Sequence, residues 1–80
     1  MFDAFPSLDF GSSGVWVIIL QMMLYDIYKG KIHIQIDGYY GNETQMAIEA
    51  IQADNGLTVD GICGNAETWP CVIRIWWEGL

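Results

Sequence analysis

Ile34-Gln35-Ile36-Asp37-Gly38-Tyr39-Tyr40-Gly41-Asn42-Glu43-Thr44 can be laid over Leu57-Thr58-Val59-Asp60-Gly61-Ile62-Cys63-Gly64-Asn65-Ala66-Glu67-Thr68, with Ala66 as one extra residue in the second copy. Each copy reads apolar, polar, apolar, Asp-Gly, two non-polar or aromatic residues, Gly-Asn, and then a helix with threonine in its first turn. An internal repeat of this kind decides the architecture, because each copy must be one turn feeding one helix. The aspartate carboxylate bonds the free N–H groups of its own turn. The glycine after it lets the backbone approach its neighbour closely.

Working outward, three helices are predicted. The break Gly11-Ser12-Ser13-Gly14 precedes a run rich in Leu, Met and Gln, so a helix is expected over 13–29, capped by Ser12 or Ser13 and ended by Gly30. A second is expected over 42–55, with Asn42 as cap, Glu43 in the first turn and Gly56 closing it. A third is expected over 68–77, with Pro70 in its first turn, where a missing N–H costs little. Lys31 to Ile36 alternates, with Ile32, Ile34 and Ile36 on one side, so an extended segment with one buried face is expected. Strand pairing should be confined to short contacts at 34–36 and Val59. The fold class is therefore all-α: a compact three-helix bundle with two repeated Asp-Gly turns and little or no sheet.

Composition narrows the function. Eighty residues make one domain with a thin core, so a deep catalytic pocket is not expected. Three Lys and Arg against ten Asp and Glu give a net charge of −7, which argues against nucleic acid and anionic lipid as direct ligands. A neutral, sugar-like or protein partner remains. No apolar run approaches the ~18 residues of a membrane span, because Gln21 interrupts the longest one. Met1 to Pro6 offers no basic start and no cleavage site, so synthesis in the cytoplasm without a signal peptide is expected. Cys63 and Cys71 have no CxxC spacing and His33 is the single histidine, so neither a metal site nor a cofactor is expected. Whether the two cysteines are bonded stays open.

The ordered residues Leu8-Asp9-Phe10-Gly11-Ser12-Ser13-Gly14, Val17, Leu20-Gln21, Leu24, Asp37-Gly38-Tyr39-Tyr40-Gly41, Thr44, Ala47-Ile48, Ile51-Gln52, Gly56-Leu57, Val59-Asp60-Gly61-Ile62-Cys63-Gly64 and Glu67-Thr68-Trp69 resemble the peptidoglycan-binding domain family. The resemblance implies an N-terminal extension at 1–7 and one domain over 8–80. It also implies a non-catalytic module attaching to bacterial peptidoglycan at the cell wall, such as accompanies cell-wall hydrolases and phage endolysins. The chain departs from the pattern in standing without a catalytic domain, in Ala66 and Pro70 at the entry to the third helix, and in an almost wholly apolar first helix.

Asp37 and Asp60 could form an acid pair for glycoside cleavage, but equivalent turn positions favour service to their own loops. Gln21 and Gln52 are expected to be buried amides bonding those loops. Tyr40 and Cys63 hold equivalent, inward places. The candidate ligand-binding residues are Asp37, Tyr39, Asn42, Asp60, Ile62 and Trp69, with no catalytic residue among them. Val15, Trp16, Ile19, Met22 and Met23 share one side of the first helix, opposite Val17, Leu20, Gln21 and Leu24. Trp16, Ile19, Met22 and Met23 are therefore expected to form an interface, in a homo-oligomer or with a protein partner. The alternative is a cover supplied by Phe2 and Phe5. Two functions stand at this point: a wall-binding module acting at the cell wall, as a stand-alone partner of a separately encoded lysin, and a protein-interaction module such as a phage accessory, inhibitor or assembly subunit.

Overall fold

The apolar spacing Val17, Leu20, Leu24 places one stripe of the first helix inward, and all three side chains are fully buried. The computed structural model describes residues 5–79. It has three helices, α1 (Val15–Tyr28), α2 (Asn42–Asp54) and α3 (Thr68–Glu78). The core adds Ala47, Ile48 and Ile51 from α2, Trp69 and Val72 from α3, and Leu8, Ile34, Tyr40 and Cys63 from the connections. α3 packs more closely on α1 than on α2. The radius of gyration of 11.1 Å is close to the roughly 12 Å expected of one domain this long.

Among the described residues there is no strand. Two isolated bridges join Leu8 to Cys63 and Ser13 to Tyr39. Neither bridge falls at 34–36 or Val59, where at most short pairing was expected. Without a ladder to hold the alternation, Ile34 is buried, Ile32 is half-buried and Ile36 is exposed.

The helices fall where the sequence places them, with corrections at their caps. α1 begins two residues later than expected because the preceding backbone is committed elsewhere. Gly11 N–H donates to the Tyr40 carbonyl (2.9 Å), Tyr40 N–H to the Ser12 carbonyl (2.8 Å), and Gly14 N–H to the Gly38 carbonyl (3.0 Å). Gly14, not a serine, is the cap residue. The Ser12 hydroxyl instead accepts from Asp9 N–H at 3.1 Å. Asn42 is the first helical residue of α2 and makes no cap bond. At the far end the Asn55 side chain donates to the Ile51 carbonyl at 2.8 Å. Pro70 lies in the first turn of α3, and the adjoining Trp69 N–H finds the Gly64 carbonyl at 2.9 Å.

Residues 8–14 form a strap across both Asp-Gly turns. Leu8 and Cys63 exchange two backbone bonds at 3.1 and 2.7 Å, and residues 11–14 pair with the first turn. Part of the expected extension belongs to the domain. The Phe5 ring lies 5.1 Å from Trp16 and 5.0 Å from Trp69, and the Pro6 carbonyl accepts from Trp69 Nε1 at 2.7 Å. Phe2, the other half of the proposed cover, lies outside the described residues. Cys63 and Cys71 are both buried and free.

Candidate functional site

The two copies build the same hydrogen-bond cluster around one buried glutamine each. Gln21 Nε2 donates to Asp37 Oδ1 (3.1 Å), the Tyr39 carbonyl (2.9 Å) and Thr44 Oγ1 (3.1 Å). Its Oε1 accepts from Asp37 N–H (3.1 Å) and Gly38 N–H (2.9 Å). In the second copy Gln52 Nε2 donates to Asp60 Oδ1 (2.9 Å), the Ile62 carbonyl (3.0 Å) and Thr68 Oγ1 (3.0 Å). Gln52 Oε1 accepts from Asp60 N–H (3.1 Å) and Gly61 N–H (3.0 Å). Each aspartate then accepts from the residue two places on, Tyr39 N–H or Ile62 N–H, both at 2.9 Å. One helix, one turn and the start of the next helix are thus tied at a single amide. A glutamine suits this point because one side chain carries both an acceptor and two donors.

The turns need glycine for two reasons. Gly38 and Gly61 have φ of +78° and +72°, the left-handed region that side chains rarely enter. A Cβ on Gly38 would lie 3.2 Å from Ile18, and one on Gly61 would lie 2.9 Å from Gln45.

The carboxyl groups of Asp37 and Asp60 are held below the usual carboxylate range, first by the N–H of Tyr39 or Ile62 and then by the glutamine amide. A glycosidase acid requires the opposite displacement. These aspartates are fixed turn anions, as the repeat suggests. Burial pushes the Tyr40 hydroxyl up, and that hydroxyl donates to the Gly61 carbonyl at 2.7 Å, joining the two turns.

Above the first cluster is a shallow cavity of about 140 Å3, lined by Gln35, Asp37, Tyr39, Asn42, Glu43 and Thr44 among others. Three predicted ligand residues, Asp37, Tyr39 and Asn42, meet there. Asp60 and Ile62 lie in the other turn, away from it. Tyr39 and Ile62 are exposed while Tyr40 and Cys63 are fully buried, as their repeat places imply. Trp69 is a correction. Its side chain is 0% exposed, stacked edge-on against Phe5 and Trp16 and bonded to Pro6, so it offers no face to a ligand. The aromatic position was legible, but the residues that cover it come from the far end of the chain.

Sequence reasoning missed Phe10, which lies edge-on to Tyr39 with ring centroids 6.3 Å apart. Its signal, a large aromatic just before Gly11, is slight. Gln35 and Glu43 were also missed; Glu43 faces His33 at 3.4 Å. Among the described residues no group of three or more His, Cys, Asp or Glu could hold a metal ion.

The interface residues divide. Trp16 and Met22 are exposed, whereas Ile19 and Met23 are half-buried, because α3 lies beside them. Ile19, Met22, Met23, Asp26 and Trp76 line a groove of about 160 Å3. A larger one of about 400 Å3 continues past Asp26 and Trp76 to Lys29 and Gly79. The two are separated by the bond from Trp76 Nε1 to Asp26, 3.0 Å.

The one-amide lock is repeated across three helices, beside a shallow surface. The family model described as "Putative peptidoglycan binding domain" matches residues 13–69, and the chain belongs to that family. The chain is also similar to a solved structure, the crystal structure of the SleB N-terminal domain. The two share 33% identity with a TM-score of 0.78, over 91% of this chain and 96% of that one. No curated protein sequence matches significantly. Among the described residues no helix is long and apolar enough to cross a membrane.

Proposed function

We propose that this chain attaches to peptidoglycan as a non-catalytic module, through the surface of its first Asp-Gly turn. The observation that carries the reading is Tyr39, 48% exposed at the rim of a cavity that adjoins the first repeat turn. Family membership supports the polymer, and the paired glutamine locks support a rigid surface. In this role the module acts at the cell wall and brings a companion hydrolase to its substrate. The test is retention on purified cell walls. Wild-type protein should sediment with them, and Tyr39→Ala should be retained several-fold less without loss of thermal stability. Equal retention of the two proteins removes the turn as the binding surface.

A second reading is self-association through α1 and α3. Its support is Met22, 53% exposed in the α1–α3 groove, with Trp77, 69% exposed, on the same helix as the groove residue Trp76. Large apolar surfaces of this kind mark interaction sites. This surface is separate from the turn, so the two readings are compatible.

A further inference from the structure

We propose that the first turn reads the sugar strand of the wall polymer, taking the face of one neutral N-acetylhexosamine ring against the Phe10–Tyr39 pair. The inference rests on the wall-binding reading and names the part of the polymer bound there. Three observations carry it.

The first is the pair itself. Phe10, on the strap, is 53% exposed, and its ring meets Tyr39 at 71°. Aromatic faces carry negative charge density. The C–H face of a pyranose is polarised the other way, so it packs on such a ring while its hydroxyls stay free to bond elsewhere.

The second is that Tyr39 is held in place before any ligand arrives. Its N–H is bound to Asp37 and its carbonyl to Gln21. A Cβ at Gly41 would lie 3.2 and 3.3 Å from the Tyr39 ring. Gly41 has φ −105°, open to any residue, so a side chain there would press on the Tyr39 ring without straining the backbone. The matching Gly64 has no neighbour within 4 Å, and Ile62 stands where the tyrosine would be. The repeat is thus symmetric in its lock and asymmetric in its surface. A ring already in position loses little freedom on binding.

The third is the polar side of the cavity that Tyr39 shares with the turn. Gln35 and Asn42 are neutral amides able to meet hydroxyl and acetamido groups, and Asp37 offers an acceptor. Asp37 stays ionised, and no cation lines the cavity, so a carboxylate-bearing ligand is repelled. The Glu43 carboxylate faces His33 rather than standing alone for an amine. A neutral sugar is the component of such a polymer that meets both conditions.

The experiment is an amide-resolved NMR titration of the whole chain with a peptide-free N-acetylglucosamine oligomer, and separately with a free stem peptide bearing a side-chain amine. Retention on intact walls is measured alongside. The oligomer should move the amides of Phe10 and residues 37–42 saturably, and the peptide should not. Phe10→Ala and Gly41→Ala should each weaken oligomer binding by roughly three- to tenfold, while Phe10→Trp should retain it. Thermal melts confirm that each variant is folded, and two independent variants guard against a single misfolded one. Peptide-induced shifts at this turn, oligomer silence there, or Phe10→Ala binding like wild type overturns the inference. Retention on walls together with oligomer silence leaves the wall reading standing and removes this one. Oligomer binding at the turn without wall retention does the reverse.

Discussion

Gln21 and Gln52 each reach five polar atoms with one amide, and both are buried. Truncation to alanine would strip the partners of a turn at once, leaving buried N–H groups of the type that cost about 1–3 kcal/mol each. Gln52→Ala should therefore lower unfolding free energy by about 3 kcal/mol, read from the urea midpoint at unchanged slope. An exposed control such as Gln35→Ala should stay within about 0.5 kcal/mol of wild type. Residue-scale meaning was largely legible here. A glutamine facing an Asp-Gly turn on a helix already occupied by apolar neighbours has few uses besides bonding that turn. Trp69 and Phe10 were less legible for the same reason as each other. Their surroundings are supplied by segments distant in sequence, Phe5 and Pro6 for one and Tyr39 for the other.

At the scale of elements, each turn is a charged device. Asp37 and Asp60 have carboxyl groups held below their ordinary value in the folded chain by N–H donors. The unfolded chain titrates near the usual carboxylate value of about 4. Their stabilising effect is thus fully present above that value and is lost as pH falls through the lowered folded values. Stability should stay flat with respect to these groups from neutral pH to about pH 5 and fall below about pH 4. Urea midpoints across that range test this, and the Asp37→Asn, Asp60→Asn double variant should show a shallower acid decline. The helices themselves were readable from apolar spacing and from Gly30, Gly56 and Pro70. Their exact starts were not, because the N–H groups of Gly11 and Gly14 are bonded to the first turn, and sequence patterning does not register a tertiary backbone pair. The alternation over 32–36 misled at Ile36, since period two has force only where a neighbouring strand holds it.

For the molecule as a whole, the proposed binding surface at the first turn and the apolar α1–α3 side share no lining residue, and each predicts its own behaviour. With no raised-pKa carboxyl in the turns and no nucleophile–base pair at the cavity, the chain by itself should release neither reducing ends nor free amines from purified walls. Any release abolished by Asp37→Asn would contradict the binding role. On the other side, burying a side chain the size of Met22 or Trp77 contributes roughly 1.5–3 kcal/mol to an interface. That is weighed against the loss of free motion on pairing and the −7 charge of each copy. Light scattering should show dimer at high protein concentration, and more of it with added salt, since salt screens like charges. Met22→Glu should return the protein to monomer. A wild-type protein that stays monomeric at every concentration would leave the Phe5 contact with Trp16 as a sufficient cover for this face.

The strap has a consequence for the order in which the chain can assemble. The second lock joins residues 16 positions apart, Gln52 and Thr68, and the first joins Gln21 and Thr44, 23 positions apart. Either can be tried as soon as its own stretch exists. The strap cannot: Leu8 must wait for Cys63, 55 positions later. Bringing such distant segments together is the slow entropic step of small-domain folding. In a refolding pulse-labelling experiment the amides of Gln52's cluster should gain protection first, and those of Leu8, Gly11 and Gly14 last. The strap at residues 8–14 would then be the final piece laid down, holding together two half-molecules that had formed without it.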